Sequence, residues 1–189
     1  MFENISLGYV LIVIIIIIIL AIVGTFNKLA KLNINVKESF STMDVFLKKR
    51  YDLIPNLVET LKGYEAYESS TLKSIVEARQ QALSSTNNKE IMVANQAITS
   101  GLDKIFALAE AYPDLKANLT YVKLQEALES TEKDIANARL YYNGNVKLFN
   151  KSIVTFPVFL FANLMGFKAY DFFEISNDQR ENVKINLTE

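Results

Sequence analysis

The sequence lacks cysteine, histidine and tryptophan altogether among its 189 residues. A Ser-His-Asp triad needs a histidine base, a thiol enzyme needs a cysteine, and thiol–imidazole zinc sites need one or both. A di-iron site in a helical bundle would need Glu-x-x-His pairs, which this chain cannot provide. The composition therefore excludes these classes of enzyme and metal protein.

Motifs that bind nucleotides or activate a serine are also absent, since no P-loop, no G-x-G-x-x-G and no G-x-S-x-G occurs. The pairs Glu65/Glu68 and Glu129/Glu132 have the spacing of one helix face, but solvated surface carboxylates are the simpler interpretation. We therefore expect no enzyme, no cofactor and no metal site. An enzyme that uses only carboxylates, lysine or tyrosine is the remaining catalytic alternative.

Charge of either sign is modest, with 20 basic and 21 acidic residues. The basic residues form no block of five or six, so nucleic-acid binding is disfavoured. Only three prolines and six glycines occur, and such sparse helix breakers suit a protein made of long helices.

A long uncharged hydrophobic segment occupies residues 5–26 and contains an unbroken isoleucine run at residues 14–19. At about 1.5 Å per residue, a helix of this length spans roughly 33 Å, enough to cross a hydrocarbon core of about 30 Å. In lipid every backbone amide and carbonyl must be bonded within the segment, which forces the helix. We predict a single-pass transmembrane helix that contacts the lipid bilayer of the cell membrane.

The flanks of this segment predict its retention and its orientation. A signal peptide is the alternative, but the basic N-terminal flank and small-residue cleavage site that it requires are both missing. Lys28, Lys31 and Lys37 follow the segment, and no basic residue precedes it. By the positive-inside rule, residues 1–4 lie outside the cell and the C-terminal region lies in the cytoplasm.

Hydrophobic periodicity predicts an all-α fold. Apolar residues recur every three or four positions, the spacing of one helix face, and no segment alternates long enough to be a strand. The four stripes cover residues 29–50, 57–82, 91–112 and 121–153. Short connections favour antiparallel neighbours, so we expect an antiparallel four-helix bundle over residues 27–153, followed by an aromatic-rich cap and tail over residues 154–189.

Capping residues suggest where these helices begin and end. Asp52 is suited to cap the second helix, with Pro55 tolerated in its first turn, although a turn and a kink both remain open. The polar residues 84–88 form a loop before the third helix. Pro113 ends the third helix, and Asp114 is expected to cap the fourth.

Two charged residues, Glu68 and Arg79, fall on an otherwise apolar stripe. An unpaired buried charge is costly, so each should have a partner or reach the rim. Either they form a structural ion pair or solvated edge, or they line a polar seam used for binding. Glu132 and Arg139 lie on one side of the fourth helix and are the expected facing partners.

Residues 49–58, with the sequence KRYDLIPNLV, carry a family resemblance. Further matching segments lie at residues 26–29, 77–79, 112–118, 124–132, 138–143, 149–150 and 156–157. Over nearly its whole length the chain resembles the LemA family of bacterial membrane-anchored proteins. The resemblance implies one N-terminal anchor and a four-helix cytoplasmic domain, without a defined activity. Phe40 and Lys49 are mild departures, because tryptophan and arginine are usual there.

The candidate interaction or structural motif follows from the signature segment and the polar stripe positions. Its members are Arg50, Tyr51, Asp52, Pro55, Asn56, Glu68, Arg79, Glu132 and Arg139. For Asp52, Pro55 and Asn56 two interpretations stay open, a tight helix junction or a surface that binds a partner.

Two functions of different classes fit this sequence. The first is a membrane-anchored scaffold or interaction module that recruits a protein partner to the cytoplasmic face. The second is a self-assembling structural or stress-related membrane protein whose copies associate as a homo-oligomer. Crosslinking in intact cells would separate them, because the first predicts hetero-complexes and the second self-complexes.

Aromatic residues crowd the segment after the fourth helix. They are Phe156, Phe159, Phe161, Phe167, Tyr170, Phe172 and Phe173. Pro157 suits the first turn of a helix and Gly166 its end, so residues 157–165 are predicted to form a short helix. The rings either cap the end of the bundle or enter the membrane interface beside the anchor.

Overall fold

A computed structural model of the chain describes residues 2–64 and 69–173, and all regular structure in these ranges is helical. The helices are α1 (Phe2–Leu61), α2 (Ser69–Ser84), α3 (Asn88–Ala109), α4 (Pro113–Lys116), α5 (Leu119–Val154) and α6 (Phe159–Ala162). The predicted all-α class is confirmed. Glu65, Glu68 and the end of the predicted tail, residues 174–189, lie outside the described residues.

The chain folds into two compact units. Of the described residues, 2–41 and 141–171 form the anchor unit, and 42–64, 69–140 and 172–173 form the network unit. Helices α1 and α5 each contribute to both units because they are long.

The uncharged N-terminal segment forms the first part of α1. From Gly8 onward α1 is long and apolar enough to cross a membrane, and no other described helix meets that test. Its large side chains are exposed, as in Ile17 and Leu20. Leaving such side chains in water rather than burying them costs roughly 1.5–3 kcal/mol each, whereas lipid accommodates them. The helix is consistent with a single-pass membrane protein.

Helix α1 continues without a break through the signature segment, so the predicted helix start at Asp52 is wrong. Pro55 lies inside α1, and the Asp52 carboxylate accepts from the Lys48 ammonium at 3.1 Å instead of capping a helix. Leu57 and Leu61 are fully buried in the final turns of α1. Burial of these side chains stabilises the helix beyond the proline and offsets its local cost.

Helices α2 and α3 pack against each other. The loop predicted at residues 84–88 is confirmed for residues 85–87, whereas Ser84 ends α2 and Asn88 begins α3. The Asn87 side chain accepts a hydrogen bond from the Lys89 amide at 3.0 Å and caps α3. Gly101 of α3 allows close packing against Ile75 of α2. A Cβ atom there would lie 2.7 Å from Ile75 Cδ1 and closer still to Cγ1.

The predicted cap of the last long helix is also wrong. Helix α3 ends at Ala109, and Pro113 occupies the first position of the short helix α4 rather than ending α3. The Asn118 side chain, not Asp114, accepts hydrogen bonds from the amides of Thr120 and Tyr121 at 2.9 and 3.2 Å. Asn118 directly precedes α5, which is the position that a capping side chain requires.

The stripe predicted for the fourth long helix is confirmed by burial along α5. The buried positions are Tyr121, Leu124, Leu128, Thr131, Ile135, Ala138, Tyr142, Val146 and Phe149, followed by half-buried Ile153. Tyr121 to Ala138 belong to the network unit and Tyr142 to Phe149 to the anchor unit.

In the anchor unit, the segment after α5 packs back onto α1 and α5. The Phe167 ring lies 5.9 Å from that of Phe26 and 6.0 Å from that of Phe149. The Tyr170 hydroxyl donates to Asn33 Oδ1 at 2.6 Å. The predicted short helix is confined to α6, and Gly166 follows it with a positive φ of 80°, a conformation that favours glycine.

Candidate functional site

Arg50 places a positive charge at the centre of the network unit. It lies on the buried face of α1 between Leu47 and Ile54, with only 1% of its surface exposed. A buried guanidinium must be hydrogen-bonded and paired to be tolerated. Its partners therefore define the polar centre of this unit.

The Arg50 guanidinium joins α1 to α3 and α5. Nη1 donates to Thr99 Oγ1 at 2.9 Å and to Glu132 Oε2 at 2.5 Å, and Nη2 donates to Asn95 Oδ1 at 2.6 Å. The Asn95 amide nitrogen in turn donates to the Tyr51 hydroxyl and to the Ile91 carbonyl. We call Arg50, Tyr51, Asn95, Thr99 and Glu132 the Arg50 network.

Pro55 leaves a backbone carbonyl of α1 free, and α2 forms a hydrogen bond to it. A proline has no amide N–H, so the carbonyl four residues before it, that of Tyr51, loses its usual helical partner. Arg79 of α2 donates from Nε to this carbonyl oxygen at 2.7 Å. An exposed proline in α1 thus provides the acceptor that holds α2.

The guanidinium groups of Arg50, within the network, and of Arg139, beside it, both lie near the one carboxylate of Glu132. Burial lowers the pKa of the Arg50 guanidinium, and the nearby Glu132 carboxylate opposes that shift. Glu132 also lies 3.9 Å from Arg139, whose pKa is likewise lowered by burial. Arg139 stacks over the Phe173 ring at 4.8 Å, a cation–π contact that offsets part of the desolvation of its charge.

A cavity of about 140 Å³ adjoins Glu132 between α3 and α5. Its lining residues are Thr99, Leu102, Asp103, Phe106, Leu128, Glu129 and Glu132. Burial and the neighbouring Glu132 carboxylate raise the pKa of Asp103. Within the described ranges no three acidic side chains converge as they would around a metal ion. The cavity thus extends the polar centre without adding a recognisable reactive group.

The structure brings together only part of the predicted motif. Arg50, Tyr51 and Glu132 form the network, Arg79 joins it through the Tyr51 carbonyl, and Arg139 adjoins it. Glu132 and Arg139 were expected to face Glu68 and Arg79, but the Glu132 carboxylate accepts from Arg50 and Arg79 donates to the Tyr51 carbonyl. Asp52, Pro55 and Asn56 lie on the exposed side of α1, and Glu68 lies outside the described residues.

Two members of the network, Asn95 and Thr99, were not predicted. Asn95 does carry a recognisable signal, since it lies four residues after Ile91 and three before Ile98, the spacing of a buried helix face. A polar side chain at such a position must find a partner. Thr99 is half-buried and carries no comparable signal.

Comparison with known proteins identifies a family model and several relatives. The model of the LemA family matches residues 39–187. Protein LemA of Metamycoplasma hominis is 26% identical over 165 residues, which cover 85% of this chain and 74% of that protein.

Magnetosome proteins are also similar to this chain. Magnetosome protein MamQ of Magnetospirillum gryphiswaldense is 20% identical, with 78% of this chain and 64% of that protein covered. Magnetosome protein MamQ 2 of Paramagnetospirillum magneticum is 21% identical, with 79% and 64% covered. The chain thus spans slightly less than two thirds of each of these magnetosome proteins.

Proposed function

The chain belongs to the LemA family, and from this premise we propose that it is a membrane-anchored interaction module that recruits another protein at the cytoplasmic face. The observation that carries the proposal is the exposure of Asp52, Pro55 and Asn56 on α1. The adjacent signature residues Arg50 and Tyr51 are buried and connect the helices. The signature segment thus has one face for packing and one available to a partner.

The anchor supports a role at a membrane. Helix α1 carries the apolar segment and also contributes Arg50 and Tyr51, so one helix contains both the membrane span and part of the polar centre. The lysines that follow the span support a cytoplasmic location for the rest of the chain.

The arrangement that we propose for the four long helices is an antiparallel bundle. Hydrogen bonds join α1 to α2, α3 and α5, and three residues, 85–87, connect α2 to α3. A connection this short favours antiparallel neighbours. Such a bundle would display the exposed signature residues on a fixed surface.

A binding role is favoured over catalysis by the chemistry of the polar centre. Its members are arginine, asparagine, threonine, tyrosine and glutamate, and each is engaged by the others. The chain has neither histidine nor cysteine to act as a base or thiol nucleophile. We propose that the Arg50 network positions helices rather than transforms a substrate.

Site-specific photo-crosslinking in intact cells tests this function. A photoreactive residue at Asn56 samples the exposed signature face, and one at Val45 is the control, because Val45 is exposed on α1 outside residues 49–58. We expect an adduct with a different protein from position 56 and none with that protein from position 45. Mass spectrometry of the adduct identifies the partner.

The alternative function predicts a different product in the same experiment. A self-assembling protein would give adducts between two copies of this chain, which differ from hetero-adducts in mass and peptide content. Self-adducts alone at position 56 would replace the recruitment proposal by self-assembly. Equal hetero-adducts from positions 45 and 56 would contradict a role for the signature face.

A further inference from the structure

A second cavity lies in the anchor unit, where the apolar part of α1 gives way to its charged part. Its volume is about 310 Å³. The lining residues are Thr25, Lys28, Leu29, Lys151, Ser152, Thr155, Phe156, Pro157 and Val158. The ammonium groups of Lys28 and Lys151 thus line one space beside the membrane anchor, and ammonium groups are donors suited to phosphate oxygens. The Ser152 and Thr155 hydroxyls already donate to backbone carbonyls of α5, at 2.8 and 2.6 Å.

The charged residues that line this cavity, Lys28 and Lys151, have one sign only. Residues 4–37 and 141–170 contain six lysines and no aspartate or glutamate. Among the described residues, neither Lys28 nor Lys151 forms an ion pair or a side-chain hydrogen bond. The two ammonium groups are therefore available to an external anion.

An exposed apolar surface adjoins the cavity on the segment that follows α5. Phe156 and Leu164 are 74% and 86% exposed, and Phe159 and Leu160 are about half exposed. The rings of Phe156 and Phe159 lie 6.4 Å apart. We call Phe156, Phe159, Leu160 and Leu164 the apolar wedge. Leaving it in water is unfavourable, and within the described residues nothing covers it.

Contacts within the anchor unit hold the segment after α5 beside the end of the uncharged part of α1. Phe167 packs against Phe26, the last residue of the uncharged segment. Lys28 lies two residues further along α1, which is about 3 Å along the helix axis. A helix that spans the bilayer therefore brings the cavity to the depth of the lipid phosphates and the wedge beside the acyl chains.

We propose that this cavity binds an anionic phospholipid. The lipid phosphate lies between the ammonium groups of Lys28 and Lys151, and the apolar wedge enters the adjacent acyl region. The inference rests on the membrane span that the proposed function also uses, but not on the recruitment of a protein partner. A failure of the crosslinking experiment would leave it intact, and its own failure would leave recruitment intact.

Native mass spectrometry of the full chain released from lipid nanodiscs tests the headgroup site. The nanodiscs contain phosphatidylcholine alone or phosphatidylcholine mixed with phosphatidylglycerol. We expect retained phosphatidylglycerol on the native chain and about tenfold less on the variant with both Lys28→Gln and Lys151→Gln, since each lysine near the surface adds to the attraction.

A matched variant controls for the loss of two charges. Lys31→Gln with Lys147→Gln removes the same charge from the same two helices, one turn away from the cavity lining. We expect this variant to retain the lipid within about twofold of the native chain, because long-range attraction alone falls off with screening. Equal losses from both variants would overturn the cavity as a site and leave only diffuse surface attraction.

A soluble anion is the other source of the same chemistry. Inorganic phosphate or glycerol 3-phosphate is therefore added to the full chain in non-ionic detergent. We expect no adduct that depends on Lys28 and Lys151. Binding of these anions as strong as that of the lipid would overturn the lipid assignment in favour of a phosphate site.

The apolar wedge has its own test, because the chain has no native tryptophan. Phe159→Trp introduces one fluorophore on the wedge, and Tyr141→Trp introduces one on the exposed face of α5, about 15 Å from Lys151 along that helix. In vesicles with lipids brominated on the acyl chains, we expect quenching at position 159 and none at position 141. An unquenched signal at position 159 would overturn membrane insertion of the wedge.

Discussion

At the scale of single residues, substitution of Arg50 and substitution of Glu132 should lower the free energy of unfolding by different amounts. Glu132→Ala leaves a guanidinium that is 1% exposed without its carboxylate, and we expect it to lower the free energy of unfolding by about 3–5 kcal/mol. Arg50→Met removes the buried charge itself, and Glu132 is exposed enough to be hydrated, so we expect a smaller loss of about 1–3 kcal/mol.

Urea unfolding of the full chain in detergent, followed by far-ultraviolet circular dichroism, gives both values. If Arg50→Met lowers the free energy of unfolding as much as Glu132→Ala or more, the expectation is wrong. The hydrogen bonds of the guanidinium would then stabilise the fold by more than its burial destabilises it.

The hydrogen bond from Arg79 to the carbonyl that Pro55 leaves free predicts an energetic coupling between Pro55 and Arg79, which lie on different helices. Arg79→Met removes the donor to the Tyr51 carbonyl, and we expect a loss of about 1.5–3 kcal/mol, the usual range for a hydrogen bond to a charged group. Pro55→Ala restores an amide that can satisfy this carbonyl within α1. In that background Arg79→Met should cost about 1 kcal/mol less.

A double-mutant cycle of unfolding free energies measures the difference. Additive effects of the two changes would mean that the restored amide does not compete with Arg79.

At the scale of the helices, we expect stability to depend on the capping side chain of Asn118 but hardly on the side chain of Asp52. Asn118→Ala removes the acceptor for two amides of α5 and is expected to cost about 0.5–2 kcal/mol. Asp52→Ala removes only an exposed pair with Lys48, and we expect less than about 0.5 kcal/mol. Comparison of the two midpoints of thermal unfolding checks the assignment. A larger shift for Asp52→Ala would restore a helix boundary at that residue.

Two helical glycines should respond oppositely to the same substitution. Gly144→Ala adds a methyl group that meets nothing within 4 Å, and the better helix propensity should stabilise the fold by about 0.5–1 kcal/mol. Gly101→Ala forces the buried Ile75 side chain to move, and we expect overpacking to give a net loss of about 1–2 kcal/mol. Denaturation midpoints of the two variants should therefore shift in opposite directions. A gain at position 101 would mean that α2 and α3 separate without cost.

Local periodicity explains which parts of these helices could be predicted from sequence. Burial along α5 was predictable from Tyr121 to Phe149 because the pattern repeats within one helix. The end of α1 could not be predicted in this way, because the continuation of the helix past Pro55 depends on the burial of Leu57 and Leu61 by other helices. The choice of Arg50 over Arg79 as the partner of Glu132 likewise depends on packing between helices, which the spacing within each helix does not encode.

At the scale of the whole molecule, orientation in the membrane remains a prediction of the lysines after the anchor. A green fluorescent protein fused after Glu189 should fluoresce, because it folds in the cytoplasm, whereas alkaline phosphatase at the same position should be inactive. Protease added outside intact cells should leave the chain after residue 27 uncut. External digestion would reverse the orientation and remove the cytoplasmic recruitment proposal.

The carbonyl that Pro55 leaves free also constrains how this family could change over evolutionary time. A lineage that replaces the proline gains an amide in α1, after which an arginine at position 79 is no longer required to satisfy the carbonyl. A lineage that loses the arginine first would pass through a less stable protein. The two positions should therefore change in a preferred order, proline before arginine, although 24 positions of sequence separate them.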